Sequence, residues 1–368
     1  MTGDACATVG PVKIIGTGLL GTSIGLGLTT RGVDVTLEDV SPTILSLACG
    51  VGAGRPAEVG DPSPTLVIVA APPDVVASLV IQALEDHPTA VVSDVASVKG
   101  VVRDEVSRAG ADMSRYVGSH PMAGREKSGP TAATADLFVG RPWVLCPNEQ
   151  TDPKATVRVR ELAVDLGATS AVMDADQHDE AVALISHVPQ VVSSLMAAQL
   201  ESGPDQALSL AGQGLRDVTR IAAGDSGLWV QILAANSAAV VPILRSIKDD
   251  LDAAIIALET LNDTEHDPAA LSSVARTITD GNAGQARIPG KHGTTQRQYE
   301  HVTVLVPDKP GEIGRLFAEV GTLGINLEDL ELEHSPRQPV GLAKLAVLPG
   351  EGRNLSQALT DNGWTIAG

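Results

Sequence analysis

Aromatic side chains are scarce: the 368-residue chain has three Trp, two Tyr and two Phe. A platform on which successive nucleobases stack is therefore missing, which argues against single-stranded nucleic acid as a partner. Positive charge is short as well. Only 26 Lys and Arg stand against 45 Asp and Glu, a formal charge of −19. Phosphate backbones and anionic membrane surfaces are repelled by such a chain. A small anionic substrate must then be met by a local cluster of cations. No run approaches the ~20 apolar residues of a membrane span. The start, Met1-Thr2-Gly3-Asp4-Ala5-Cys6, lacks the basic and apolar segments of a secretory signal. The three cysteines, Cys6, Cys49 and Cys146, have neither disulfide nor metal spacing. A reduced, cytoplasmic setting is expected, and a metal site is not.

What the chain has is glycine in a pattern. Val12-Lys13-Ile14-Ile15 reads as a strand and Gly16-Thr17-Gly18-Leu19-Leu20-Gly21 as a turn. An apolar helix to Arg31 and a second strand, Val33 to Asp39, follow. In this βαβ context Gly16 permits the tight turn and Gly18 the approach of backbone to a pyrophosphate. Gly21 permits close packing of the helix, and the amides at Leu19 and Leu20 face the phosphates. An acid closing the second strand accepts hydrogen bonds from an adenosine ribose and repels a 2′-phosphate, so NAD is expected over NADP. Asp39 and Glu38 compete for that role, because neighbouring strand residues point to opposite faces.

The βα rhythm continues through strands at 65–71 and 89–95, predicting an α/β fold with a parallel, doubly wound sheet. Ala71 and Pro72 end the first of these strands on the cofactor side, and Pro72-Pro73 starts a helix. Asp94, Ser97 and Lys99 fall at the ligand-binding edge. Ser97 has two readings, a cap for a helix beginning at Val98 or a site residue. A short strand from Tyr116 leads into a loop, Ser119-His120-Pro121-Met122-Ala123-Gly124-Arg125. His120 is the side chain best suited to move a proton near neutral pH.

From Asp176 the pattern turns helical, at 177–200, 205–222, 227–260 and 268–279. Leu184, Val188, Val191 and Leu195 share one face of the first helix. His187 lies beside them, and Pro189 kinks the helix. Arg216 and Arg220 form either a solvated face or a carboxylate clamp. The apolar surface of the long helix from Leu228 exceeds what one domain covers, which predicts a homodimer. A polar, Gly-rich linker over 283–300 separates these helices from strand and helix signals in the order βαββαβ, a ferredoxin-like unit. The expected domains are a cofactor-binding unit (1–175), a helical substrate and dimerisation unit (176–282), the linker, and a C-terminal unit (301–368).

These motifs together resemble the prephenate and arogenate dehydrogenases of tyrosine biosynthesis, the TyrA family. The resemblance rests on Gly16–Gly21, Ser-Asp-Val-Ala-Ser-Val-Lys (93–99), Ser-His-Pro-Met-Ala-Gly-Arg-Glu-Lys-Ser-Gly (119–129), Ile-Ser-His-Val-Pro (185–189) and Asp-Val-Thr-Arg-Ile-Ala (217–222). It implies an NAD-dependent oxidative decarboxylation, with His120 accepting the proton of the substrate hydroxyl and Ser97 orienting it. It also implies that His187 holds the substrate side chain and Arg220 its carboxylate. Arg125 departs from the small polar residue of many relatives; it either adds a cation toward prephenate or points to solvent. The last unit looks like an ACT domain, and Pro310, Gly311 and Asn326 fall where such domains hold an amino-acid effector. A non-catalytic sensor of NAD and an amino acid is the rival reading from another class.

Overall fold

The computed structural model describes residues 6–124, 129–289, 299–334 and 340–367. The chain divides into two compact units, residues 1–247 and 248–368. The first begins with β1 (Val12–Ile15), α1 (Leu19–Thr29), β2 (Val35–Glu38), α2 (Pro42–Gly50), β3 (Arg55–Pro56) and β4 (Leu66–Val69). Next come α3 (Pro73–Asp86), β5 (Val91–Asp94), α4 (Gly100–Arg108), β6 (Tyr116–Pro121), β7 (Pro142–Pro147), α5 (Pro153–Asp165) and β8 (Thr169–Val172). The eight strands form one sheet in the order β3-β2-β1-β4-β5-β6-β7-β8. All neighbours are parallel except β6 and β7, so the sheet is doubly wound with one antiparallel step. Apolar residues alternate between its two faces. Leu66 and Ile68 join a cluster with Ile14, Leu28 and Trp143, and Val67 and Val69 join one with Val80, Val106 and Tyr116. Burial on both faces is why these strands read as unbroken apolar runs.

The antiparallel step moves His120 out of the loop expected from the sequence. It is a strand residue, registered opposite Val144, which holds its backbone more firmly than a loop would.

Helices follow: α6 (Ala175–Val182), a π-helical turn over Ala183–His187, α7 (Val188–Ala198), α8 (Asp205–Leu208) and α9 (Gln213–Thr219). A 3₁₀ turn over Arg220–Ala223 leads to α10 (Ser226–Ala235) and α11 (Ser237–Asp263). The π turn inserts a residue into the helical repeat, and the expected stripe is buried only in part, at Val188. Ala183, His187, Val188, Gln190 and Ser193 are buried, whereas Leu184 is 60% and Leu195 60% exposed. Ala175–Ala198 is also long and apolar enough, by length and composition, to cross a membrane, contrary to the expectation that no segment is. Yet His178, Asp179 and His187 on it are buried, and each is hydrogen-bonded within the unit.

The second unit holds the end of α11, α12 (Pro268–Gln285), β9 (Glu300–Pro307), α13 (Glu312–Thr322), β10 (Asp329–His334), β11 (Val340–Val347), α14 (Gly352–Asp361) and β12 (Thr365–Ala367). Its antiparallel sheet has the order β10-β11-β9-β12, the ferredoxin-like arrangement that the βαββαβ pattern predicts. Leu316, Val320, Leu355 and Leu359 pack against Val302, Val304 and Leu345.

Candidate active site

The glycine turn has the geometry its sequence requires. Gly16 has φ +93°, and a Cβ there would lie 2.4 Å from the Ala70 carbonyl. A Cβ on Gly21 would lie 1.9 Å from the Gly16 carbonyl, so helix and turn touch. Gly18, by contrast, faces open space, with nothing within 4 Å of its Cβ position. It is the N-cap of α1 and has no side-chain capping bond, so among the described residues the first-turn amides at Leu19, Leu20 and Gly21 are left for an anion. Asp39 ties the turn to β2: its Oδ2 accepts from the Thr17 amide (2.7 Å) and hydroxyl (2.9 Å), and its Oδ1 from the Ser41 amide (2.9 Å). Glu38 instead pairs with Lys13 at 2.7 Å. Ala71 and Pro72 lie at the mouth of β4, where Pro72 caps α3.

Asp94 and Lys99 depart from expectation. They do not line the ligand edge but turn inward, at 0% and 1% exposure, and pair with each other. Lys99 Nζ also donates to the Ser119 carbonyl at 2.7 Å. Asp94 accepts further from Tyr116 Oη (2.7 Å) and the Ala96 amide (2.9 Å), so the pair is buried with its hydrogen bonds largely made. Burial, with Asp94 beside it, pushes the Tyr116 hydroxyl well above its usual pKa, so it remains a donor. This network lies under the backbone that carries His120.

Ser97, partly buried in the β5–α4 loop, does not cap a helix at Val98. The helix starts two residues later, and Asp179 of α6 takes its first amides, Lys99 N and Gly100 N, each at 2.8 Å. A carboxylate serves this end better than a hydroxyl because it also meets the helix dipole. Among the described residues Ser97 has no hydrogen-bond partner. Burial works against the charge on Asp179, but His178 and the two amides outweigh it and hold the carboxyl below its usual value.

The two candidate histidines sit in connected surroundings. His120 Nδ1 lies 2.9 Å from His178 Nε2, and His178 Nδ1 lies 2.8 Å from Asp179 Oδ1. His187 Nδ1 lies 3.0 Å from Asn236 Nδ2, which donates to the Asp179 carbonyl at 2.8 Å. Trp229 stands edge-on to the His187 ring, centroids 6.1 Å apart. Burial, reinforced by His178, Lys99 and His187, drives the His120 pKa well below 6.5. Burial lowers His187 to about 4, with Asp179 opposing in part. Both rings are therefore neutral at pH 7.

Arg216 on α9 and Arg220 in the following turn are exposed and, among the described residues, have no ion pair. Their segment packs on α7, the helix that follows His187. Arg125 lies outside the described residues. In the second unit, Gly311 (φ +91°) is the N-cap of α13 beside Pro310. Asn326 is not on a strand; it lies in the loop before β10, its amide on Glu328 Oε1 at 2.8 Å, because pairing with β11 starts at the Glu328 amide.

Residues 24–172 match the nucleotide-binding domain of prephenate dehydrogenase, and 174–271 match its dimerization domain. Over 358 residues, 95% of this chain and 98% of the relative, it is 38% identical to the probable prephenate dehydrogenase NovF of Streptomyces niveus. The chain belongs to the prephenate dehydrogenase family. It is an NAD-dependent oxidoreductase family. Prephenate dehydrogenase of Bacillus subtilis is 25% identical over 94% of both chains. Among solved structures, the Aquifex aeolicus prephenate dehydrogenase with hydroxyphenyl propionate and NAD+ superposes with TM-score 0.65 at 25% identity, covering 75% of this chain and 97% of that one. Synechocystis arogenate dehydrogenase gives 0.61 at 27%, covering 74% and 98%.

Sequence reasoning about this family member missed His178, Asp179 and Asn236. The adjacent His-Asp pair at the start of a helix was the available signal, but Asp179 reads there as a first-turn acid. Asn236 gave none, because its role depends on the break between α10 and α11.

Proposed function

We propose that the chain is an NAD-dependent prephenate dehydrogenase, converting prephenate to 4-hydroxyphenylpyruvate and carbon dioxide. One observation carries this: a neutral imidazole, His120, held on a strand at the C-terminal edge of a sheet whose first turn suits a dinucleotide. Gly16, Gly18, Gly21 and the amides at Leu19 and Leu20 would cradle the pyrophosphate. Asp39 would take the ribose hydroxyls on its remaining lone pairs, and Ala71, Pro72 and Ser97 would line the approach. Bound there, NAD supplies the acceptor for the hydride that leaves C4. His120 takes the proton of the C4 hydroxyl, which makes C4 a better hydride donor as the carbonyl forms. Carbon dioxide then leaves its electron pair in the ring, and the proton returns to the oxygen of the new phenol. His187 faces the substrate side chain, and Arg220, with Arg216 and Arg125 in reserve, meets the ring carboxylate.

Likeness to an arogenate dehydrogenase keeps a second substrate in view, with an alanyl chain in place of the pyruvyl one. Initial rates on prephenate and arogenate, each with NAD and NADP, decide; the reading requires the highest kcat/KM for prephenate with NAD. A non-catalytic sensor would form no NADH with any pair.

A homodimer accounts for the apolar residues left in the open, including Leu184, Ile185, Leu195 and Val230. The unpaired state of Cys6, Cys49 and Cys146 suits a cytoplasmic location. The C-terminal unit would act as an ACT-type sensor, taking the carboxylate of tyrosine at the Pro310-Gly311 turn and its amino group near Asn326. Deleting the residues after 289 should abolish inhibition that tyrosine exerts through this unit.

A further inference from the structure

We propose that Asp179 is a positioning residue that gives the two site histidines opposite hydrogen-bonding polarity, acting on His120 through His178 and on His187 through Asn236. The inference rests on the reading of His120 as the proton acceptor and explains which of its nitrogens does the work.

The assignment follows from donors and acceptors one bond at a time. Asp179 is an ionised carboxylate that already accepts from the Lys99 and Gly100 amides. It can only accept, so the His178 nitrogen 2.8 Å away, Nδ1, must carry a hydrogen. With His178 in its neutral form that hydrogen is its only one, which leaves Nε2 as an acceptor. The atom 2.9 Å from it is His120 Nδ1, which must therefore donate. His120 Nε2 is then a bare lone pair, and among the described residues it has no partner. Without this chain of bonds the ring could hold its hydrogen on either nitrogen, and only one of the two forms can accept a proton at Nε2.

The other branch uses the Asp179 backbone. Its carbonyl can only accept, which orients the Asn236 amide with Nδ2 toward it at 2.8 Å. The second hydrogen of that NH₂ group points at His187 Nδ1, 3.0 Å away. That nitrogen accepts, so His187 carries its hydrogen on Nε2 and presents a donor. An acceptor for a substrate hydroxyl and a donor for a carbonyl or carboxylate oxygen are thus set by one residue, whose carboxylate also seats the loop before α4. His178 is buried, at 0% exposure, so its two ring nitrogens keep these partners rather than bulk water.

The test reads tautomers and rates on the full-length enzyme. Long-range ¹H–¹⁵N spectra of the wild-type protein at pH 7.5 should show His120 protonated at Nδ1 and His187 at Nε2. His178→Leu removes the acceptor and should lower kcat by about 10²-fold or more, the general-base scale, with KM for NAD unchanged. His178→Gln restores an acceptor oxygen and should recover most of the loss; a merely structural site would not be rescued. Asn236→Asp should reverse His187, raising KM for prephenate more than it lowers kcat. Hydrogen on Nε2 of His120 in the wild type, or equal damage in the Leu and Gln variants, overturns the proposal. Failure of the underlying reading shows separately, as near wild-type kcat in His120→Asn.

Discussion

Replacing Lys99 with Met isolates what the buried pair under the active strand contributes. The two side chains are close in length, so little volume changes. What changes is that Asp94, at 0% exposure, loses its cation and keeps only the Tyr116 hydroxyl and the Ala96 amide. Removing one partner of a buried pair costs about 3–5 kcal/mol. Against a typical total of roughly 5–15 kcal/mol, that is a large share. Denaturant unfolding followed by circular dichroism should show it. Asp94→Asn in the same chain removes the unpaired charge and should return about half of the loss. The Ser119 carbonyl also loses its donor, so kcat should fall while KM for NAD holds. Stability of Lys99→Met within about 1 kcal/mol of wild type would refute the reasoning, because it would mean the charge on Asp94 needs no partner.

Three further outcomes follow from the site. Asp39→Ala should weaken NAD and narrow the preference over NADP, since a ribose acceptor and a repulsive charge both go; an unchanged NAD/NADP ratio in kcat/KM removes Asp39 from that role. Arg220→Ala should raise KM for prephenate and for arogenate alike by about 10²-fold, the loss of a charged partner worth about 3 kcal/mol; an unmoved KM passes the clamp to Arg216 or Arg125. Stability should fall on acidification: the unfolded chain takes up protons below pH 6.5 that His187, lowered to about 4, refuses. Its contribution is therefore whole above pH 6.5 and declines by about 3 kcal/mol toward pH 4. Unfolding free energies of wild type and His187→Gln across that range check it, and parallel curves would contradict it.

The parts of the molecule written in local patterns were legible in the sequence. Gly16 and Gly21 answer steric demands of the turn, Gly18 leaves open space where a pyrophosphate would approach, and the apolar runs of β4 and β5 follow from burial on both faces. The βαββαβ order of the last unit needed only alternation and turn residues. What escaped depends on residues far apart in the chain. Lys99 reads from the sequence as a ligand-edge residue because nothing local says that Asp94 and the Ser119 carbonyl enclose it. His120 reads from the sequence as a loop residue because its strand partner, Val144, lies far along the chain. At the π turn Ala183 and His187 are buried beside Val188 while Leu184 is left in the open, a pattern the 3.6-residue period cannot foresee. Asp179 carries the same lesson, capping a helix 79 residues earlier in the chain.

The central claim is that His120 accepts the proton while hydride leaves the substrate. Initial rates of NADH formation from saturating prephenate and NAD, in wild type and His120→Asn, test it most directly. The account predicts kcat lower by roughly 10²–10⁴-fold in the variant, with KM for NAD little changed. A variant with near wild-type kcat would contradict it.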